Sequence, residues 1–169
     1  MGEMIALRIV HIALGVFWAG GMLFMNFVIG PALGSLGPDG LKVMRALHRR
    51  KYFQIVLTVA LLTILAGVDL MRRDSAGFDP AWFRSRFGMG ISTGMIAAII
   101  AFLIGAFMIR PTMNRILSIA DEMEAAEPAA RPAIAARIAS VRARFIAMGS
   151  VASLFIIIAV VAMAVARYL

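Results

Sequence analysis

His11 is the one histidine inside any of four long apolar runs in this 169-residue chain, in the segment Ile9-Val10-His11-Ile12-Ala13-Leu14-Gly15-Val16-Phe17-Trp18. An ionisable ring in a bilayer is costly, faces the bundle interior as a rule, and marks a functional site by default. A neutral imidazole also ligates metal ions and haem iron. Counting depth from the ends of the runs predicts a polar layer around it. Gly67 and Asp69 stand at that level on the second run, Ser92, Thr93 and Met95 on the third, Met163 and Arg167 on the fourth. His11 then reads as a cofactor or metal ligand, for haem b first and copper second, with Met95 or Met163 as a softer second ligand. Asp69 or one of the hydroxyls of Ser92 and Thr93 would fix the other ring nitrogen, with Arg167 in the same layer. The plainer reading is a hydrogen bond across the bundle that sets helix register and stabilises by about 0.6–2 kcal/mol.

Other chemistries are excluded by what is missing or misplaced. There is no cysteine, which removes disulfides, iron–sulfur clusters and thiolate zinc sites. His48 precedes the second run among Arg45, Arg49, Arg50 and Lys51, on the far side of the membrane from His11, so the two cannot clamp one haem. It reads as a solvated or headgroup-level residue. The thirteen methionines form no exposed M-x-M cluster, and Met22 and Met25 read as core fillers. No H-E-x-x-H, P-loop or dinucleotide fingerprint occurs, so a soluble-type enzyme is not indicated.

The elements that must position His11 are membrane helices. Hydrophobic residues make up 62% of the chain and charged residues 15%, against about 45–50% and 25% in ordinary globular domains. Mean hydropathy is +0.92. A crossing needs roughly 20 apolar residues. Four stretches qualify, over 5–29, 52–70, 89–109 and 145–165, which predicts a single all-α domain over 1–169, an antiparallel four-helix membrane bundle. The net charge of +8 sits at the ends of these runs, an anchoring pattern rather than a nucleic-acid patch. Eleven basic residues fall in the first and third loops and six on the other side, which predicts those loops in the cytoplasm and both termini outside.

The loops carry elements too. Asp39 is placed to cap a helix running from Leu41 into the second span. Met113, Ile116, Leu117 and Ala120, then Ile134, Ile138, Val141 and Phe145, form two apolar stripes separated by Pro128 and Pro132. They predict a cytoplasmic helical hairpin between spans three and four, with Asp121, Glu122, Glu124 and Glu127 near its tip, which extends the bundle or docks a partner. Trp82 and Phe83 suit a short interfacial helix. Gly15, Ala19, Gly20 and Gly21, and Gly90-x-x-x-Gly94, predict close helix approach.

The opening His11-Ile-Ala-Leu-Gly-Val-Phe-Trp18-Ala-Gly20-Gly21, followed by Phe27 and Pro31, resembles the first span of a broad bacterial group. That group comprises the membrane domain of copper resistance protein D, HemJ-type protoporphyrinogen oxidases and many four-span relatives. Leu65-Ala-Gly67-x-x-Leu70 and Arg110-Pro111 are similar to its less characterised members. The resemblance implies a bacterial inner-membrane four-span fold and matches His11 to the histidine credited with haem binding in the HemJ type. No lysine in a span matches that type's second functional position, and the extra metal-binding residues of a copper importer are absent. Two functions follow as expectations: a haem- or metal-associated membrane protein acting through His11, or a non-catalytic accessory subunit packed against a larger respiratory or photosynthetic complex.

Overall fold

Away from water a backbone must satisfy its own N–H and C=O groups, and a single apolar segment does so only as a helix. The computed structural model describes residues 2–169, and every regular element among them is helical. In chain order these are α1 (Gly2–Ser35), α2 (Pro38–Arg49), α3 (Tyr52–Asp74), α4 (Pro80–Arg84), α5 (Arg86–Ala125) and α6 (Arg131–Tyr168). The helices α1, α3, α5 and α6 are each long and apolar enough to cross a membrane. The chain is thus a multi-pass helical membrane bundle, as its hydropathy predicts.

Local signals set the ends. Ser85 caps α5 by accepting the Gly88 N–H at 3.0 Å, and Asp79 caps α4 by accepting that of Ala81 at 2.9 Å. Pro38 and Pro132 stand in first turns, where a missing N–H costs nothing. The expectation for Asp39 is corrected. Gly37, at φ 55°, is the N-cap of α2 and makes no side-chain bond, while Asp39 lies in the first turn and holds Lys42 at 2.7 Å. Nor does α2 run into α3: Lys51 adopts a left-handed φ of 59° and turns the chain between them.

Both α1 and α5 contain a π-helical turn, Met25–Ile29 and Gly105–Ile109. Each has the same cause. Pro31 and Pro111 lack an N–H and press on the carbonyls four residues earlier, Phe27 and Phe107. The preceding amides reach back one residue further, Gly30 to Met25 and Arg110 to Gly105. The segments Phe27-Val-Ile-Gly-Pro31 and Phe107-Met-Ile-Arg-Pro111 are a short internal repeat. It divides the bundle into two hairpins, α1 with α3 and α5 with α6, and packing is most extensive within each.

The mid-bundle core is built around Trp18, Ala60, Ala97, Ala98, Ala101, Ile156 and Ala159. Beyond it, α5 and α6 continue without a break into the predicted hairpin, whose arms meet through Ile116, Ile119, Ile134 and Val141. The helix α2 lies against this extension: Met44 shares a cluster with Phe53, Met113 and Leu117. Arg45 donates to Asp121 at 2.7 Å and to Glu124 at 2.8 Å, and Arg137 donates to Glu122 at 2.7 Å. Most of the acidic cluster near the tip is therefore engaged within the chain.

Candidate functional site

His11 lies on the face of α1 that meets α3, one turn before Gly15. A Cβ on Gly15 would touch Thr63 Cγ2 at 3.6 Å, so the two helices run close here. The His11 ring makes one hydrogen bond among the described residues, from Nδ1 to the main-chain carbonyl of Thr63 at 2.9 Å. A carbonyl only accepts, so Nδ1 is the donor, and that tautomer of the imidazole has its lone pair on Nε2. Thr63 turns its own hydroxyl back to the Val59 carbonyl at 2.8 Å, which leaves its carbonyl as the group presented to His11.

Gly67, one turn beyond Thr63 on α3, makes room for the ring. A Cβ there would stand 2.9 Å from His11 Cε1 and 3.0 Å from the methyl carbon of Met95. Imidazole and thioether, from α1 and α5, thus converge on one bare patch of α3. Met95 is buried and His11 half-buried. Gly67 leaves room for the ends of both side chains.

The remaining residues of the expected layer go elsewhere, because equal depth does not place side chains on the same helix face. Asp69 is held by Arg72 at 2.9 Å and Arg73 at 3.0 Å, and the ring nitrogen expected to meet it, or a hydroxyl, meets a main-chain carbonyl instead. Met163 packs against Gly94, in the contact between α5 and α6. Arg167 sits over the Tyr168 ring at 4.8 Å. Thr93 is exposed and lines a small cavity with Ile96, Ala97 and Phe155. The Ser92 hydroxyl is buried and, among the described residues, unpartnered.

His48 is also corrected. It is half-buried, tilted against Phe53 with ring centroids 6.4 Å apart, and its Nδ1 is buried without a partner among the described residues. It does lie far from His11, since Tyr52 and Thr63 are about 16 Å apart along α3 at 1.5 Å per residue. Gly20 and Gly21 touch nothing within 4 Å where a side chain would begin. The Gly21 carbonyl instead accepts the Tyr52 hydroxyl at 3.2 Å.

A second feature lies outside the depth count. A cavity of about 750 Å³ occupies the hairpin end of the bundle, a size typical of ligand pockets. Trp18, Phe53 and Phe102 form part of its apolar wall, and both π-turns contribute to it, through Met25 and Asn26 on one side and Gly105 and Ile109 on the other. The sequence signal that could have found it is the repeated Phe-x-Ile-x-Pro, since π-turns in membrane helices recur at functional sites. Neither cavity is lined by His11. Comparison of the chain with protein-family models, with curated proteins and with solved structures finds no match.

Proposed function

We propose that this multi-pass membrane protein carries a haem or metal group through His11, with Met95 as the neighbouring soft donor. One observation carries the reading. The ring is oriented by an Nδ1–H bond to a main-chain carbonyl, the outer contact usual for ligating histidines, and its Nε2 has no protein partner among the described residues. Imidazole suits iron and copper, and thioether favours copper in its reduced state or low-spin haem iron. The chemistry of the two donors, one imidazole and one thioether, suits such an ion. A porphyrin enclosed by this chain alone fits less well, because no described cavity reaches His11. When bound, such a group would supply one-electron chemistry. The residues of this chain hold and orient the ring: Thr63 fixes it, and Gly67 leaves the space.

An absorption spectrum of the protein in mild detergent, a pyridine haemochrome assay and metal analysis test this directly. A Soret band or stoichiometric copper is expected, lost in His11→Ala and weakened in Met95→Leu. Neither signal in the wild type would sink the reading and leave His11 as a register bond between α1 and α3.

A second reading is the accessory subunit of a larger membrane complex. It is favoured by α1, whose most apolar stretch is only 6% buried within the bundle, against 22–28% for the other three crossing helices. Phe17, Phe24 and Phe27 are exposed along it. Migration on native gels at the mass of the lone chain, from gently solubilised membranes, would count against it.

A further inference from the structure

The cavity at the hairpin end is not used by any reading of His11. Its wall is apolar over most of its extent, yet it holds one cation with no acid to match. Lys42 is held by Asp39 at 2.7 Å, and Arg45 by Asp121 and Glu124 at 2.7 and 2.8 Å. Arg142, by contrast, makes no ion pair and no hydrogen bond among the described residues. Its guanidinium crosses from α6 to α1, and a Cβ on Gly34 would stand 2.5 Å from Nη2, so the glycine admits it. Several residues of the wall are exposed, and three of them, Pro31, Arg142 and Ile146, open it along the seam between α1 and α6.

We propose that this cavity binds one monoanionic phospholipid, its acyl chain lying between the two π-turns and its phosphodiester on Arg142. The chemistry matches at both ends. An apolar cavity in a bilayer is open to acyl chains, and a guanidinium presents a donor fork that fits phosphate oxygens. Basic pockets between membrane helices recognise lipid headgroups on this principle. A single unpaired guanidinium suits a single phosphate. Arg142 lies three residues before Phe145, where the long apolar run of α6 begins, at the level a headgroup occupies.

The test uses the full chain in nanodiscs of mixed phosphatidylglycerol and phosphatidylcholine, followed by native mass spectrometry and by thermal-stability titration with each lipid. Phosphatidylglycerol is expected to be retained in preference to phosphatidylcholine. Arg142→Gln should weaken its apparent affinity about tenfold, as loss of a hydrogen bond to a charged group does. Arg144→Gln, two residues along and off the cavity wall, should leave it unchanged. Leu57→Trp, which fills the cavity beside Gly105, should reduce retention with Arg142 intact, and His11→Ala should not alter it. Inorganic phosphate alone should give no stabilisation. Equal retention of the two lipids, wild-type affinity in Arg142→Gln, an equal loss in Arg144→Gln, or full stabilisation by inorganic phosphate would each overturn the proposal. Arg142 is exposed, so its replacement is compatible with folding even where Leu57→Trp is not.

Discussion

The two ends of this bundle are packed by opposite means. Around His11 the helices meet through positions that lack a side chain: Gly15 against Thr63, Gly67 beneath the imidazole and Met95, Gly94 beneath Met163, and Gly90 against Ala166. At the other end the wall is made of Trp18, Phe53, Phe102 and Phe145, and two proline-driven π-turns interrupt the regular helix beside them. The first arrangement brings backbones together, and His11 lines neither of the two cavities. The second leaves about 750 Å³. The lesson is that one bundle can carry a fixed polar contact and an adaptable apolar chamber if small residues and prolines are segregated along its length.

The sharpest way to break this contrast is to crowd the tight end. Gly67→Val should cost about 3 kcal/mol in a reversible unfolding assay in mixed micelles, since a new side chain meets His11 and Met95 at once. Wild-type stability there would remove the claim that close approach defines this end.

A finer test makes one substitution at two points of α5. At Gly94 an alanine methyl would meet Met163 Cγ at 2.6 Å and the Ala159 carbonyl oxygen at 3.1 Å, so Gly94→Ala should destabilise by about 1–2 kcal/mol. At Gly105 it would meet only Leu57 Cδ2 at 3.3 Å, and Leu57 can yield into the cavity. Gly105→Ala should therefore be neutral or gain up to about 1 kcal/mol from reduced backbone entropy in the unfolded chain. Equal effects at the two sites would erase the distinction.

The smallest effect concerns α2, which closes the hairpin end from outside. The hydrogen bond from Lys42, reinforced by its charge, holds the Asp39 carboxyl below the ordinary aspartate value. A depressed native value means the pair supports the fold above the unfolded value of about 3.9 and is lost as pH falls through the lower native one. The Glu124 hydrogen bond raises Arg45, so that cation stays charged throughout. Hydrogen exchange in α2 should therefore begin to rise only below about pH 4, and an NMR titration of Asp39 should show its midpoint there. A midpoint above that value would contradict the pairing.

Much of the bundle was legible because hydropathy and helical periodicity are local properties. The four crossings, the break at Pro128 and Pro132, the two stripes of the hairpin and the Gly90/Gly94 contact were all readable in that way. The same reading misjudged Gly20 and Gly21, because a small residue permits approach without showing whether a neighbour arrives. It ran α2 into α3 because nothing in Arg49-Arg50-Lys51 announces a left-handed lysine. The polar layer at the His11 level divided for a similar reason. Asp69 and Met163 have the right depth but the wrong azimuth, and position along a helix gives only depth.

That the chain is helical and membrane-spanning follows from its residues alone, since an uninterrupted apolar run satisfies its backbone in hydrocarbon by forming a helix. The two π-turns fall where a proline stands inside a continuing helix, at Pro31 and Pro111, since there it removes one donor and displaces one carbonyl. What His11 touches was fixed by packing. Its partner is the carbonyl of Thr63, a group every residue carries and no sequence pattern advertises. Packing likewise set the two π-turns around one cavity and left Arg142 in its wall without a carboxylate among the described residues. Those facts depend on how four helices rotate about their axes, which is settled by packing between distant segments rather than by any one of them.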